Sequence, residues 1–137
     1  VLLDDIQDPG NMGTIIRTCD WFGIQKIICS DGCVDAYNPK VVQASMASVG
    51  RVQITEADLE NIITENKLPV YGAVLNGKNY HEQSFTQKGF ILIGNEGHGI
   101  NKILQEKITF PITIPKTGKA ESLNAAIATA LILDKLV

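Results

Sequence analysis

The sequence predicts an α/β domain with a largely parallel central sheet. Three observations carry that prediction. Short β-branched apolar runs alternate with segments of helical period along the whole chain. One of those runs, Gly89–Gly94 (GFILIG), is apolar throughout, as a strand covered on both faces should be. Finally, polar or glycine-rich loops follow three of the runs, at the strand ends where such sheets bind ligands.

The elements follow in order. Val1–Ile6, VLLDDI, reads as a strand with an acidic end. Asp8–Gly13 is dense in turn formers and reads as a loop, followed by a helix from Thr14 to Phe22 that Gly23 ends. Gln25–Ser30 is a second strand. Asn38 and Pro39 open a helix as its N-cap and first residue, and it runs to Ser48 before Gly50. A strand at Arg51–Thr55 precedes an amphipathic helix at Glu56–Lys67, with Leu59, Ile62 and Ile63 inward. Pro69–Leu75 is the fourth strand, broken by Asn76–Gly77, and Tyr80–Gln87 reads as a loop or short turn. After Gly89–Gly94 come the loop Asn95–Gly99 and a short helix at Asn101–Glu106. A sixth strand, Ile108–Ile114, contains Pro111, and a final helix covers Ser122–Val137.

Composition narrows the function. A chain of 137 residues suits one domain with its own core. Hydrophobic content of 45% and charged content of 20% belong to a globular chain, and no apolar run reaches bilayer-spanning length. Three cysteines without a secretory signal point to free thiols in a reducing cytosol, and Cys29 and Cys33 have no companions for a metal site. The net charge is −3, so nucleic-acid affinity would have to come from a local patch, a second subunit or another domain. The start at Val1 rather than Met is read as a fragment, with an N-terminal substrate-binding domain outside residues 1–137.

The common chemical fingerprints are missing. Neither GxGxxG nor GxxxxGK[ST] occurs, Ser122 lacks a G-x-S-x-G elbow, and His81 and His98 make no metal pair. His98 reads as a solvent-exposed loop residue. Arg17, one of two arginines, lies off the apolar face of its helix. It is read either as a surface salt bridge to Asp20 or as a cation beside a pocket. Glu121, Ser122 and Asn124 crowd a helix N-terminus, where they serve either as a cap, by Ser122 or Glu121, or as a ligand wall.

Three long segments, in order, settle a family resemblance: DPGNMGTIIRTCDWFG, ILIGNEGHGI and IPKTGKAESLNAAIATALIL. They resemble the three motifs of the SpoU (TrmH) family of RNA 2′-O-ribose methyltransferases, in the SPOUT superfamily, and the resemblance covers essentially the whole chain. It implies a parallel sheet whose C-terminal segment is threaded into a trefoil knot, against the general rule on threaded loops. It also implies a homodimer and S-adenosylmethionine bound in the knot. Residue by residue, it places Asn11, Arg17, Glu96, Ser122 and Asn124 in the catalytic group. Gly94, Asn95, Glu96, Gly97, Ile114, Ser122, Leu123 and Asn124 match the cofactor site, with Leu75 and Gly77 on a further wall loop. The implied partner is RNA. Ribosomal RNA is expected ahead of transfer RNA, because DPGNMGTIIRT is closer to the ribosomal branch. No metal and no membrane are expected.

Two departures stand out. The family often has Met where this chain has Lys116, and Trp21 precedes Phe22–Gly23, where it would pack in a core or dimer or stack a base. Two other readings remain open: a non-catalytic RNA-binding or dimerisation module on the same fold, and a nucleotide-binding protein of other chemistry.

Overall fold

The computed structural model describes all residues from Val1 to Val137. Six strands form one sheet in the order β3-β2-β1-β5-β4-β6. They are β1 (Leu2–Leu3), β2 (Lys26–Cys29), β3 (Gln53–Glu56), β4 (Val70–Asn79), β5 (Phe90–Ile93) and β6 (Phe110–Thr113). Every pairing is parallel. Five helices complete the fold: α1 (Pro9–Trp21), α2 (Pro39–Ser45), α3 (Leu59–Asn66), α4 (Lys102–Gln105) and α5 (Ala125–Leu136).

Alternation along the strands sorts the core into two layers. Leu3, Ile27, Cys29, Ile91 and Ile93 face one side, against Met12, Ile15, Ile16 and Cys19 of α1, Val41 of α2, and Ala126, Ile132 and Leu133 of α5. Leu2, Ile28 and Leu92 face the other, against Leu59 and Ile63 of α3 and Leu104 of α4. Adjacent strand residues therefore belong to different cores, which is why GFILIG needs apolar residues at every position.

Several boundaries differ from the sequence reading. The Asp8–Gly13 segment is not a loop. Helix α1 begins at Pro9, with Asp8 as its N-cap accepting from the Asn11 N–H at 2.8 Å. Gly13 is there because a Cβ would stand 2.7 Å from the Val41 carbonyl, so it lets α1 and α2 pack closely. Helix α2 stops at Ser45, not Ser48, because Met46 and Ala47 both turn left-handed (φ 49° and 70°). Helix α3 starts at Leu59 behind the Asp58 cap, and Glu56 belongs to β3. Strand β1 is only two residues long, since Asp5 turns left-handed at φ 57°. Gly23 ends α1 as expected, with φ 71°.

The largest correction concerns β4. Asn76–Gly77 does not break it; the strand runs to Asn79 with a register shift between Ala73 and Lys78. Ala73 and Lys78 both align with Ile112 of β6, so the residues between them bulge out. Gly77 allows this: a Cβ there would lie 2.7 Å from the Ile112 backbone. The bulge pushes Leu75 outward, to 69% exposure, and Thr113 Oγ1 donates to the Leu75 carbonyl at 3.1 Å.

Candidate cofactor and substrate site

The three motif segments meet. Strands β1 and β5 are neighbours, which brings the start of α1 beside the turn after β5. Strand β6 lies at the sheet edge, so the chain after Ile114 must cross the ends of β4 and β5 before α5 packs against α1. A chain of hydrogen bonds joins the three. Asn124 Nδ2 donates to Asn11 Oδ1 at 2.8 Å, and Asn11 Nδ2 donates to Glu96 Oε1 at 3.2 Å. Glu96 Oε1 also accepts the Asp8 N–H at 3.3 Å, while Oε2 has no partner.

Asn124 has a second task. Its Oδ1 accepts from the Ala126 and Ile127 N–H groups at 2.9 and 3.2 Å, so it is the N-cap of α5. This corrects the expectation that Ser122 or Glu121 caps the helix. Both lie before it, exposed and without hydrogen bonds to other residues. The cap and the ligand-wall readings of this stretch are thus divided between neighbours rather than competing for the same side chain.

The second motif is a tight turn. Asn95 and Gly99 pair through two backbone hydrogen bonds, and Asn95 Oδ1 accepts from the N–H groups of Gly97 and His98 at 2.7 and 3.1 Å. Gly94 lies flush against Gly99 and Ile100, with no room for a Cβ. Asn95 Nδ2 reaches across to the Asp5 carbonyl at 2.7 Å. His98 is 63% exposed, as expected, but its Nε2 lies 3.1 Å from Asp5 Oδ2. Sequence reasoning missed Asp5 as the residue that seats this turn. Two acidic residues ending a strand were its only mark.

A cavity of about 780 Å³ opens between these turns and the β6–α5 segment. Of the residues matched to a cofactor site, Leu75, Gly94, Asn95, Glu96, Gly97, Ile114, Ser122 and Leu123 line it. Gly77 does not, since it packs on β6 instead, and Asn124 stands behind the wall as a cap and brace. A second cavity of about 440 Å³, beside α3 and α4, is lined by Asp4, Asp31, Glu56 and Asp58 among others and by none of the motif residues.

Arg17 is exposed on α1 and makes no hydrogen bond or ion pair. The expected partner, Asp20, is taken by Arg51, whose Nη2 lies at 2.7 Å, and by the Ser48 hydroxyl at 2.7 Å. Those bonds hold the Asp20 carboxyl below its usual range. Arg17 is therefore a free guanidinium two turns along the helix from Asn11. Trp21, one turn further, is 84% exposed, which removes the core reading for it.

Fold and site together define a parallel α/β protein with a glycine-lined cavity at the strand ends and an unpaired arginine on the helix braced against its β5 turn. Residues 1–134 match the SpoU rRNA Methylase family, to which the chain belongs. The chain is 36% identical over 140 residues to the 23S rRNA (guanosine(2553)-2′-O)-methyltransferase RlmP of Bacillus subtilis, covering 99% of this chain and 56% of the relative. It superposes on the AdoMet-bound rRNA methyltransferase of Sinorhizobium meliloti with a TM-score of 0.91 and 35% identity, over 98% of this chain and 53% of that one. For the SpoU methyltransferase AviRb of Streptomyces viridochromogenes, in complex with AdoMet, the TM-score is 0.90 at 29% identity, over 98% and 57%. The chain spans about half the length of the curated relatives it matches.

Proposed function

We propose that this chain is the catalytic domain of an RNA 2′-O-ribose methyltransferase using S-adenosylmethionine, acting on ribosomal RNA. The observation that carries the reading is the Asn124–Asn11–Glu96 hydrogen-bond chain, which ties the three family motifs together at one cavity. The relatives named for 23S ribosomal RNA favour that substrate over transfer RNA.

The residues present fit the cofactor. A cavity of about 780 Å³ lies within the range, about 300–1,000 Å³, of small-molecule sites. Leu75, Ile114 and Leu123 offer apolar walls for an adenine, and the glycines at 94, 97 and 99 let backbone groups approach it. Glu96 and Glu121 supply carboxylates for its cationic groups. When bound, the cofactor supplies a methyl group made electrophilic by its sulfonium.

The chain's own residues prepare the acceptor. A ribose hydroxyl is a poor nucleophile until its proton is drawn off, and methyl transfer in line depends on placement. A guanidinium is a poor base, so Arg17 serves by gripping the neighbouring phosphate with its fork and polarising the hydroxyl. Asn11 and Glu96 fix the start of α1 and thereby the helix that carries Arg17. Ser122, unpaired on the cavity wall, is free to bond substrate or cofactor.

Knot and dimer belong to the same reading. The passage of residues 114–124 across the ends of β4 and β5 supports threading. Exposed Trp21 and Ile127, on the packed helices α1 and α5, support a second copy of the chain as their cover. The non-catalytic alternative is disfavoured by an intact Asn124–Asn11–Glu96 chain and a free Arg17.

The test is ribose-methylation mapping on ribosomal RNA with the full-length protein. One 2′-O-methylated nucleotide is expected, absent without S-adenosylmethionine. Arg17→Lys keeps the charge but loses the fork, and is expected to cut the rate at least tenfold. A wild-type rate for that variant would remove Arg17 from the mechanism.

A further inference from the structure

Lys116 lines the cavity. Its Nζ donates to the Ala120 carbonyl at 2.9 Å, closing the exposed Lys116–Ala120 turn over the cavity mouth. An ammonium has three donors, so two remain free.

The charges on the wall are few. They are Glu96, Glu121, Lys116 and, when protonated, His98. His98 is committed to Asp5, at 3.1 Å. Glu96 keeps Oε2 unpaired, and Glu121 makes no hydrogen bond. The cavity thus offers two carboxylates and one free cation. S-adenosylmethionine carries two cationic groups, the sulfonium and the α-ammonium, and one carboxylate. The two sets are complementary in sign and in number.

We propose that Lys116 binds the carboxylate of S-adenosylmethionine; this rests on the cofactor reading above. The Ala120 bond holds the ammonium at the cavity wall before the ligand arrives, so little side-chain entropy is lost on binding. A Met at this position could cover the ligand but could not pair with its acid group.

The test is calorimetric binding of S-adenosylmethionine and of its decarboxylated form to wild type, Lys116→Met and Lys116→Arg. The decarboxylated ligand keeps the sulfonium and ammonium and lacks only the carboxylate. Lys116→Met should weaken S-adenosylmethionine by about fivefold, the scale of a partly exposed ion pair. It should leave the decarboxylated form unchanged or bind it more tightly, since a nearby positive charge is gone. Lys116→Arg should restore most of the affinity. Equal losses for both ligands would make Lys116 a loop brace only, and no loss for S-adenosylmethionine would overturn the contact. If wild type binds neither ligand, the cofactor reading itself fails, and Lys116 falls with it.

Discussion

Asn11 places both halves of its amide on other motif residues, and that makes its chemistry testable. Asn11→Asp preserves size but replaces the donor that faces Glu96 with a carboxylate oxygen, about where Nδ2 now sits at 3.2 Å. Two like charges then share one site, and the bond to a charged acceptor is lost. A destabilisation of about 1–3 kcal/mol is expected in urea unfolding, larger than for Asn11→Ala. Equal stability of the two variants would mean that the Glu96 contact contributes nothing. Cys33 offers a second residue-scale test. The neighbouring Cys29 thiol, the Ile6 N–H at 3.3 Å and the Ser30 hydroxyl favour its thiolate, bringing its pKa down to about 7. The Cys29 thiol is pushed up, first by Cys33 beside it and then by burial. Because the folded value lies below the ordinary 9.0, the contribution of Cys33 to stability is complete above 9.0 and lost as pH falls through about 7. Iodoacetamide labelling should therefore modify Cys33 first, with a rate midpoint below the ordinary thiol value; a midpoint at that value would contradict the geometry.

At the scale of elements, the turn after β5 depends on one missing side chain. A Cβ on Gly94 would overlap the Gly99 and Ile100 backbone, which cannot move without breaking the Asn95–Gly99 pair. Gly94→Ala should cost at least about 1–3 kcal/mol of stability and abolish cofactor binding, whereas Gly118→Ala, in open space, should be neutral. The α2 terminus makes the opposite prediction. Ala47 sits at φ 70° without being glycine, so Ala47→Gly should stabilise the chain by up to about 1 kcal/mol, read as a rise in melting temperature. These places also show where sequence reasoning stopped. Asp8–Pro9 has the same cap-and-proline form as Asn38–Pro39, yet Gly10 and Gly13 made it read as a loop. The reason for Gly13, close packing on Val41, is a tertiary fact. Asn76–Gly77 carries a turn signature, but pairing with β6 overrode it. Asn124 could be placed at the helix start from the sequence, but its contact with Asn11, far away along the chain, could not.

At the scale of the molecule, fold class and family resemblance were legible because strand periodicity and three long motifs each span many residues, whereas the meeting of the three motifs was not. Sheet order was not, since it depends on crossovers that no local pattern encodes. With a net charge of −3, the proposed RNA would be held by local cations such as Arg17 rather than by overall charge. Trp21 is the single tryptophan, so its fluorescence reports the proposed dimer face. Emission should shift to the red on dilution, and Trp21→Glu should sediment as a monomer. A monomeric wild type at every concentration would refute that face. The central claim is that the cavity joined by Asn124, Asn11 and Glu96 is the cofactor site. The most direct measurement is an amide chemical-shift map on adding S-adenosylmethionine. Shifts should concentrate at residues 94–99 and 112–125 and spare Asp31 and Glu56–Glu60. Shifts centred on the acidic cavity beside α3 and α4, or none at all, would contradict it.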